Sequence, residues 1–90
     1  MKRIHLLILG NVQGVGFRYN VRQKVMMLGL VGTVENLPDG SVEIVAEGEE
    51  EKLQELVKWC KSGYHYAKID NIKVDWQKAE RTYNDFEIKY

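Results

Sequence analysis

The sequence predicts an α+β sandwich, an antiparallel-rich sheet with two helices on one face, in the order β-α-β-β-α-β plus a short C-terminal strand. Three observations predict it. Apolar residues alternate with the period of a strand near both ends and in the middle of the chain. Two intervening segments carry helical stripes. Pro38-Asp39-Gly40 separates two β-rich runs as a hairpin turn would. Ninety residues build one core, so the chain reads as a single domain over 1–90 with a single site.

Ile4, Leu6 and Ile8 alternate with Arg3, His5 and Leu7, which predicts a first strand ended by Gly10. From Phe17, apolar residues recur at Val21, Val25 and Leu28, and Gly29 stands where a helix turns left-handed at its end. Leu30 to Leu37 and Ser41 to Glu47 form the hairpin, the second run setting Val42, Ile44 and Ala46 against Ser41, Glu43 and Glu47. Glu49-Glu50-Glu51 supplies an acidic first turn to a second helix with Leu53, Leu56, Val57 and Cys60 on one side, closed by Gly63. Ile72, Val74 and Trp76 alternate as a fourth strand, and Phe86, Ile88 and Tyr90 do so after a polar turn around Glu80 to Asn84. This is the ferredoxin-like split β-α-β order.

Thirteen basic residues balance thirteen acidic ones without blocks, unlike the basic stripe of a nucleic-acid binder. Tyr64, Tyr66, Trp59 and Trp76 do not supply a base-stacking platform, since the first and third strands carry no aromatic residue. The single Cys60 forms no internal disulfide and the chain reads as cytoplasmic. Leu6 to Leu9 is too short for a signal peptide core, and no run is long enough to cross a membrane. His5 and His65 lack a second ligand at metal spacing, so neither metal nor other cofactor is expected.

Gly10-Asn11-Val12-Gln13-Gly14-Val15-Gly16-Phe17-Arg18 leaves a strand and enters a helix, where backbone N–H groups and the helix dipole favour an anion. Three glycines let the backbone curl, and Arg18 adds a planar charged fork suited to phosphate oxygens. The segment lacks the Gly-Lys-Ser/Thr ending of a nucleotide loop and the glycine spacing of a dinucleotide fold. If the first helix is a crossover, the first and second strands run parallel with the third between them, roughly 10 Å apart. Asn36, ending the second strand, then faces the loop.

Gly10-x-Val12-Gln13-Gly14-Val15-Gly16-Phe17-Arg18, followed by Gly32-x-Val34-x-Asn36-x-x-Asp39-Gly40-x-Val42, resembles the two signature segments of the acylphosphatases. The resemblance implies hydrolysis of the carboxyl-phosphate bond of acyl phosphates without metal or covalent intermediate. It implies that Arg18 and the loop from Gln13 through Gly14, Val15, Gly16 and Phe17 hold phosphate while Asn36 positions water. Three departures stand at Thr33, where an aromatic is usual, Glu35, where a base is usual, and Gly63-Tyr64, where Gly-Pro is usual. Glu35 places an acid beside Asn36, with a weaker grip on a dianion as the expectation. The expected partner is the small-molecule acyl phosphate, with no nucleic acid or membrane, and the chain is expected to be a monomer. The alternative is a non-catalytic regulatory module that binds acyl or carbamoyl phosphate.

Overall fold

The computed structural model describes residues 1–14, 16–62 and 68–90. The elements are β1 (Lys2–Asn11), α1 (Phe17–Met27), β2 (Val31–Asn36), β3 (Val42–Gly48), α2 (Glu50–Ser62), β4 (Lys68–Lys78) and β5 (Phe86–Lys89). They form one five-stranded sheet in the order β4-β1-β3-β2-β5. β3 lies between β1 and β2, as the crossover argument requires, and is antiparallel to both. β5 adds to β2 in parallel, so the C-terminal ends of β1, β2 and β5 share one end of the sheet.

Alternation decides which face is buried. Ile4, Leu6 and Ile8 of β1, Val34 of β2, and Val42, Ile44 and Ala46 of β3 form the inner face. Phe17, Val21 and Val25 of α1 and Leu53, Leu56 and Cys60 of α2 close over it. Burying each large aliphatic side chain contributes about 1.5–3 kcal/mol, so this layer is the main source of stability. Phe17 also stacks on Trp59, with ring centroids 6.3 Å apart and planes 13° from parallel. The contact anchors the first turn of α1 to the second helix.

Two boundaries differ from the sequence expectation. β1 does not end at Gly10 but runs through Asn11, with a register shift against β4 between Leu9 and Gly10. Gly10 has φ 135°, and a Cβ there would run into the backbone of Lys68 and Asp70, so the glycine allows close approach within the sheet. β4 starts at Lys68, well before the alternating residues that reveal it, because it pairs with β1 over the whole length of that strand. Gly63, expected to close α2, lies outside the described residues, as do Tyr64, His65 and Tyr66.

The segment 79–85 joins the two edge strands across the face that carries no helix. Its anchor is Glu47, 1% exposed, whose carboxylate accepts the backbone N–H groups of Glu80 and Arg81 at 2.8 and 3.1 Å and the Arg3 Nε–H at 2.8 Å. Arg3 also pairs with Glu80 at 2.7 Å and lies 5.3 Å from the Tyr83 ring centre. Burial disfavours the Glu47 anion, but the Glu80 N–H, Arg3 and the Arg81 N–H outweigh it, holding the pKa below its usual 4.5.

Candidate functional site

The site builds up from the glycine loop. Gly14 and Gly16 adopt left-handed conformations, φ 77° and 76°, which L residues with a Cβ adopt at a cost. Gly16 is the N-cap of α1 and offers no side-chain cap, so the helix starts with its positive dipole end toward the loop. Val15, predicted as part of the loop, lies outside the described residues.

Gln13 turns its side chain to a different task. Its Nε2 donates to the Leu37 carbonyl at 2.8 Å and the Ser41 carbonyl at 2.9 Å. These two residues bracket the β2–β3 turn, where Leu37 N–H also donates to Ser41 O at 2.9 Å. Asp39 Oδ1 accepts from both the N–H and the hydroxyl of Ser41, and the hydroxyl bond first, then the backbone one, lowers the Asp39 pKa. The loop is thereby fastened to the turn that follows Asn36. What Gln13 leaves to an anion is its backbone, since its side-chain donors are engaged.

Arg18 and Asn36 line one cavity of about 160 Å³, together with Gly14, Gly16, Phe17 and Val12. Arg18 is half-buried on the first turn of α1; its Nη1 donates to the Lys89 carbonyl at 3.2 Å and its guanidinium lies 4.9 Å from the Tyr90 ring centre. Asn36 Oδ1 is buried and has no hydrogen-bond partner among the described residues. A buried acceptor left without a donor costs about 1–3 kcal/mol. Such an orphan inside a cavity suits a ligand or water that donates to it.

Glu35 does not point its charge at this cavity. Strand alternation puts Val34 and Asn36 on the helix-covered face and Thr33 and Glu35 on the other, with Glu35 in register with Glu43. The expected weakening of a dianion by an acid next to Asn36 thus loses its geometric basis. The remaining departure, Gly63-Tyr64, falls outside the described residues.

Sequence reasoning missed the far wall, made of Tyr19, Ile88 and Tyr90. Tyr19 follows Arg18 directly, and its hydroxyl accepts from Gln23 Nε2 at 2.9 Å. Ile88 and Tyr90 reach the cavity because β5 runs parallel to β2. The signal was present as a final alternating strand, but nothing local says which edge it joins. Among the described residues no cluster of three or more His, Cys, Asp or Glu side chains is placed to hold a metal, and no helix is long and apolar enough to cross a membrane.

The comparisons with known proteins address the family and the fold. The family profile described as Acylphosphatase matches residues 4–88. An acylphosphatase of Caldanaerobacter subterraneus subsp. tengcongensis is 51% identical over 87 residues, covering 97% of each chain. The crystal structure of acylphosphatase from Bacillus subtilis superposes with a TM-score of 0.94 at 39% identity, covering all of both chains. An acylphosphatase from Coxiella burnetii gives 0.91, also at 39% identity, over 98% of this chain and 92% of that one. With its profile match, full-length relatives and shared fold, this chain belongs to the acylphosphatase family.

Proposed function

We propose that the chain hydrolyses acyl phosphates to a carboxylate and inorganic phosphate, with the phosphoryl group held by Arg18 and the loop amides and water positioned by Asn36. The observation that carries this reading is that Arg18 and Asn36, from α1 and the end of β2, line one cavity.

Water attacks phosphorus while the bond from phosphorus to the carboxyl oxygen breaks, and that electron pair leaves on the carboxylate. The conjugate acid of a carboxylate has a pKa of about 4–5, so the leaving group needs no protonation and the site needs no histidine acid. Phosphoryl transfer passes through a loose transition state in which position and charge stabilisation do most of the work. Arg18 supplies a permanent charge, and the dipole of α1 adds to it. Asn36 takes up no proton near neutral pH. Its Oδ1 instead accepts a hydrogen bond from water, whose proton passes to a phosphoryl oxygen. Every group in this scheme comes from one chain.

Steady-state hydrolysis of acetyl and benzoyl phosphate, paired with phosphate binding by calorimetry, tests the proposal. Asn36→Ala is expected to lose about 100-fold or more in kcat while keeping phosphate affinity. Arg18→Ala is expected to lose both. Near-wild-type turnover in Asn36→Ala removes the water-positioning role. Phosphate binding by the wild-type chain without multiple turnovers would replace hydrolysis with a regulatory phosphate-binding module.

A further inference from the structure

The acyl half of the substrate needs a place of its own. The cavity that holds Arg18 and Asn36 is about 160 Å³. Liquid water takes roughly 30 Å³ per molecule, so a phosphoryl group and an attacking water fill most of that space. The acyl group then extends beyond it, and a groove leads on from the cavity. Tyr19, Ile88 and Tyr90 line both, and Arg22, Phe86 and Glu87 continue the groove. Its direction follows from the fold. α1 begins at the site and β5 ends there, so the space between them runs from Arg18 along the helix. Phe86 and Ile88, on the helix-covered face of β5, give it an apolar floor.

One cation stands in this groove. Arg22 follows Arg18 by four residues, which puts it on the same side of α1 and about 6 Å further along the axis. It is half-buried, and among the described residues its guanidinium has no ion pair, hydrogen bond or ring contact. The acids nearby do not neutralise it. Glu87 alternates with Phe86 and Ile88 and so turns its side chain to the uncovered face. Asp85 lines the far end and makes no ion pair with Arg22. An unpaired helix arginine is ordinarily just solvated. Arg22 differs in standing one helical turn beyond the phosphate-binding arginine, over an apolar floor that continues the site.

We propose that Arg22 selects the acyl group, and that the preferred substrates are acyl phosphates whose acyl group carries a second carboxylate. The inference rests on the hydrolysis proposed above and adds no step to it. The phosphoryl group sits on Arg18 and the loop amides, the apolar middle of the acyl group lies on Ile88 and the Tyr19 and Tyr90 rings, and the distal carboxylate accepts from the Arg22 guanidinium. A planar fork of N–H donors matches the two oxygens of a carboxylate. Asp85 sets the length, since a longer acyl group carries its carboxylate past Arg22 toward a like charge. Arg22 touches none of the reacting atoms, so it acts on specificity and not on the chemical step.

Steady-state hydrolysis of para-carboxybenzoyl phosphate and para-carbamoylbenzoyl phosphate tests the assignment, because the two substrates share a shape and differ in one charge. The wild-type chain is expected to favour the carboxylate in kcat/KM, chiefly through KM. Arg22→Gln is expected to lower the ratio of the two kcat/KM values about two- to fivefold, the range of an exposed ion pair, with the carbamoyl substrate unchanged. Arg22→Glu is expected to lower it further. The ratio is taken within each variant, so a loss of stability does not move it. A ratio that is the same in wild type and Arg22→Gln overturns the role of Arg22 and leaves hydrolysis standing. A wild-type chain that binds inorganic phosphate but turns over neither substrate overturns the hydrolysis, and this inference with it.

Discussion

The side-chain amide of Gln13 donates to the Leu37 carbonyl at 2.8 Å and in the same geometry reaches Ser41, tying the glycine loop to the turn that follows Asn36. The glycine loop and the end of β2, which belong to separate elements of one sheet, are thereby also joined by a side chain. In Gln13→Ala both carbonyls lose this donor but keep a backbone one, Leu37 O from the Gly40 N–H and Ser41 O from the Leu37 N–H, so each lost bond costs about 0.5–1.5 kcal/mol. The expected outcome is a lowered urea midpoint together with about a tenfold drop in kcat/KM, because misplaced groups lose orientation as well as binding. A variant that loses stability but keeps kcat/KM would show that the tie does not position the site.

Arg18 is fixed from the other side by the end of β5, through the Lys89 carbonyl and the Tyr90 ring. An exposed cation–π contact contributes about 0.5–1 kcal/mol. Tyr90→Ala is therefore expected to raise KM for acetyl phosphate about two- to fivefold, the kinetic equivalent of that energy. Tyr90→Phe, which keeps the ring, is expected to restore the wild-type value. Steady-state kinetics on the pair separates the ring from the hydroxyl.

Glu47 makes stability depend on acid. Its pKa in the folded chain is held below its usual 4.5, so its contribution is present above that value and declines as pH falls through the folded value. Denaturation curves are expected to be flat in this contribution from pH 7 to about 5 and to weaken below about 4.5. Removing one partner of a buried ion pair typically costs about 3–5 kcal/mol, and Glu47→Gln, which keeps one acceptor oxygen, is expected near the lower end. The same variant is expected to flatten the acid limb of the wild-type profile.

Cys60 lies on the buried face of α2, and burial pushes its thiol up to about 12. The thiolate is the reactive form, so the native chain is expected to react slowly with an aromatic disulfide reagent at pH 8. Full reaction is expected once urea unfolds the domain. Rapid labelling of the native state would place the sulfur nearer solvent than the packing does.

Much of the fold was legible because the signals are local. Ile4, Leu6 and Ile8 declare a half-buried strand, and Leu53, Leu56 and Cys60 declare one side of a helix, each from spacing alone. Arg18 was legible from its place at the start of α1, and Asn36 from the parallel crossover rule. Glu47 read as one more polar position on β3, whereas it anchors the 79–85 segment. No periodicity carries that information, because both of its N–H donors come from residues 33 and 34 positions away. Glu35 marks the opposite limit of reading position from sequence. Proximity in sequence to Asn36 became separation across the sheet, since adjacent strand residues face opposite ways.

By itself the sequence determined the elements, their order, the glycine loop and the two residues on which hydrolysis is proposed to turn. These follow from propensity, alternation and chemistry within a few residues of each other. Only the tertiary structure decided that β5 joins β2 in parallel, that Tyr90 covers Arg18, and that the Gln13 side chain binds the hairpin turn instead of facing the cavity. It also decided that, among the described residues, β4 is paired along one edge, to β1. The physical reason is shared by all four. Each depends on which distant segments meet when the core closes, and that choice is set by the packing of the whole sheet under its two helices.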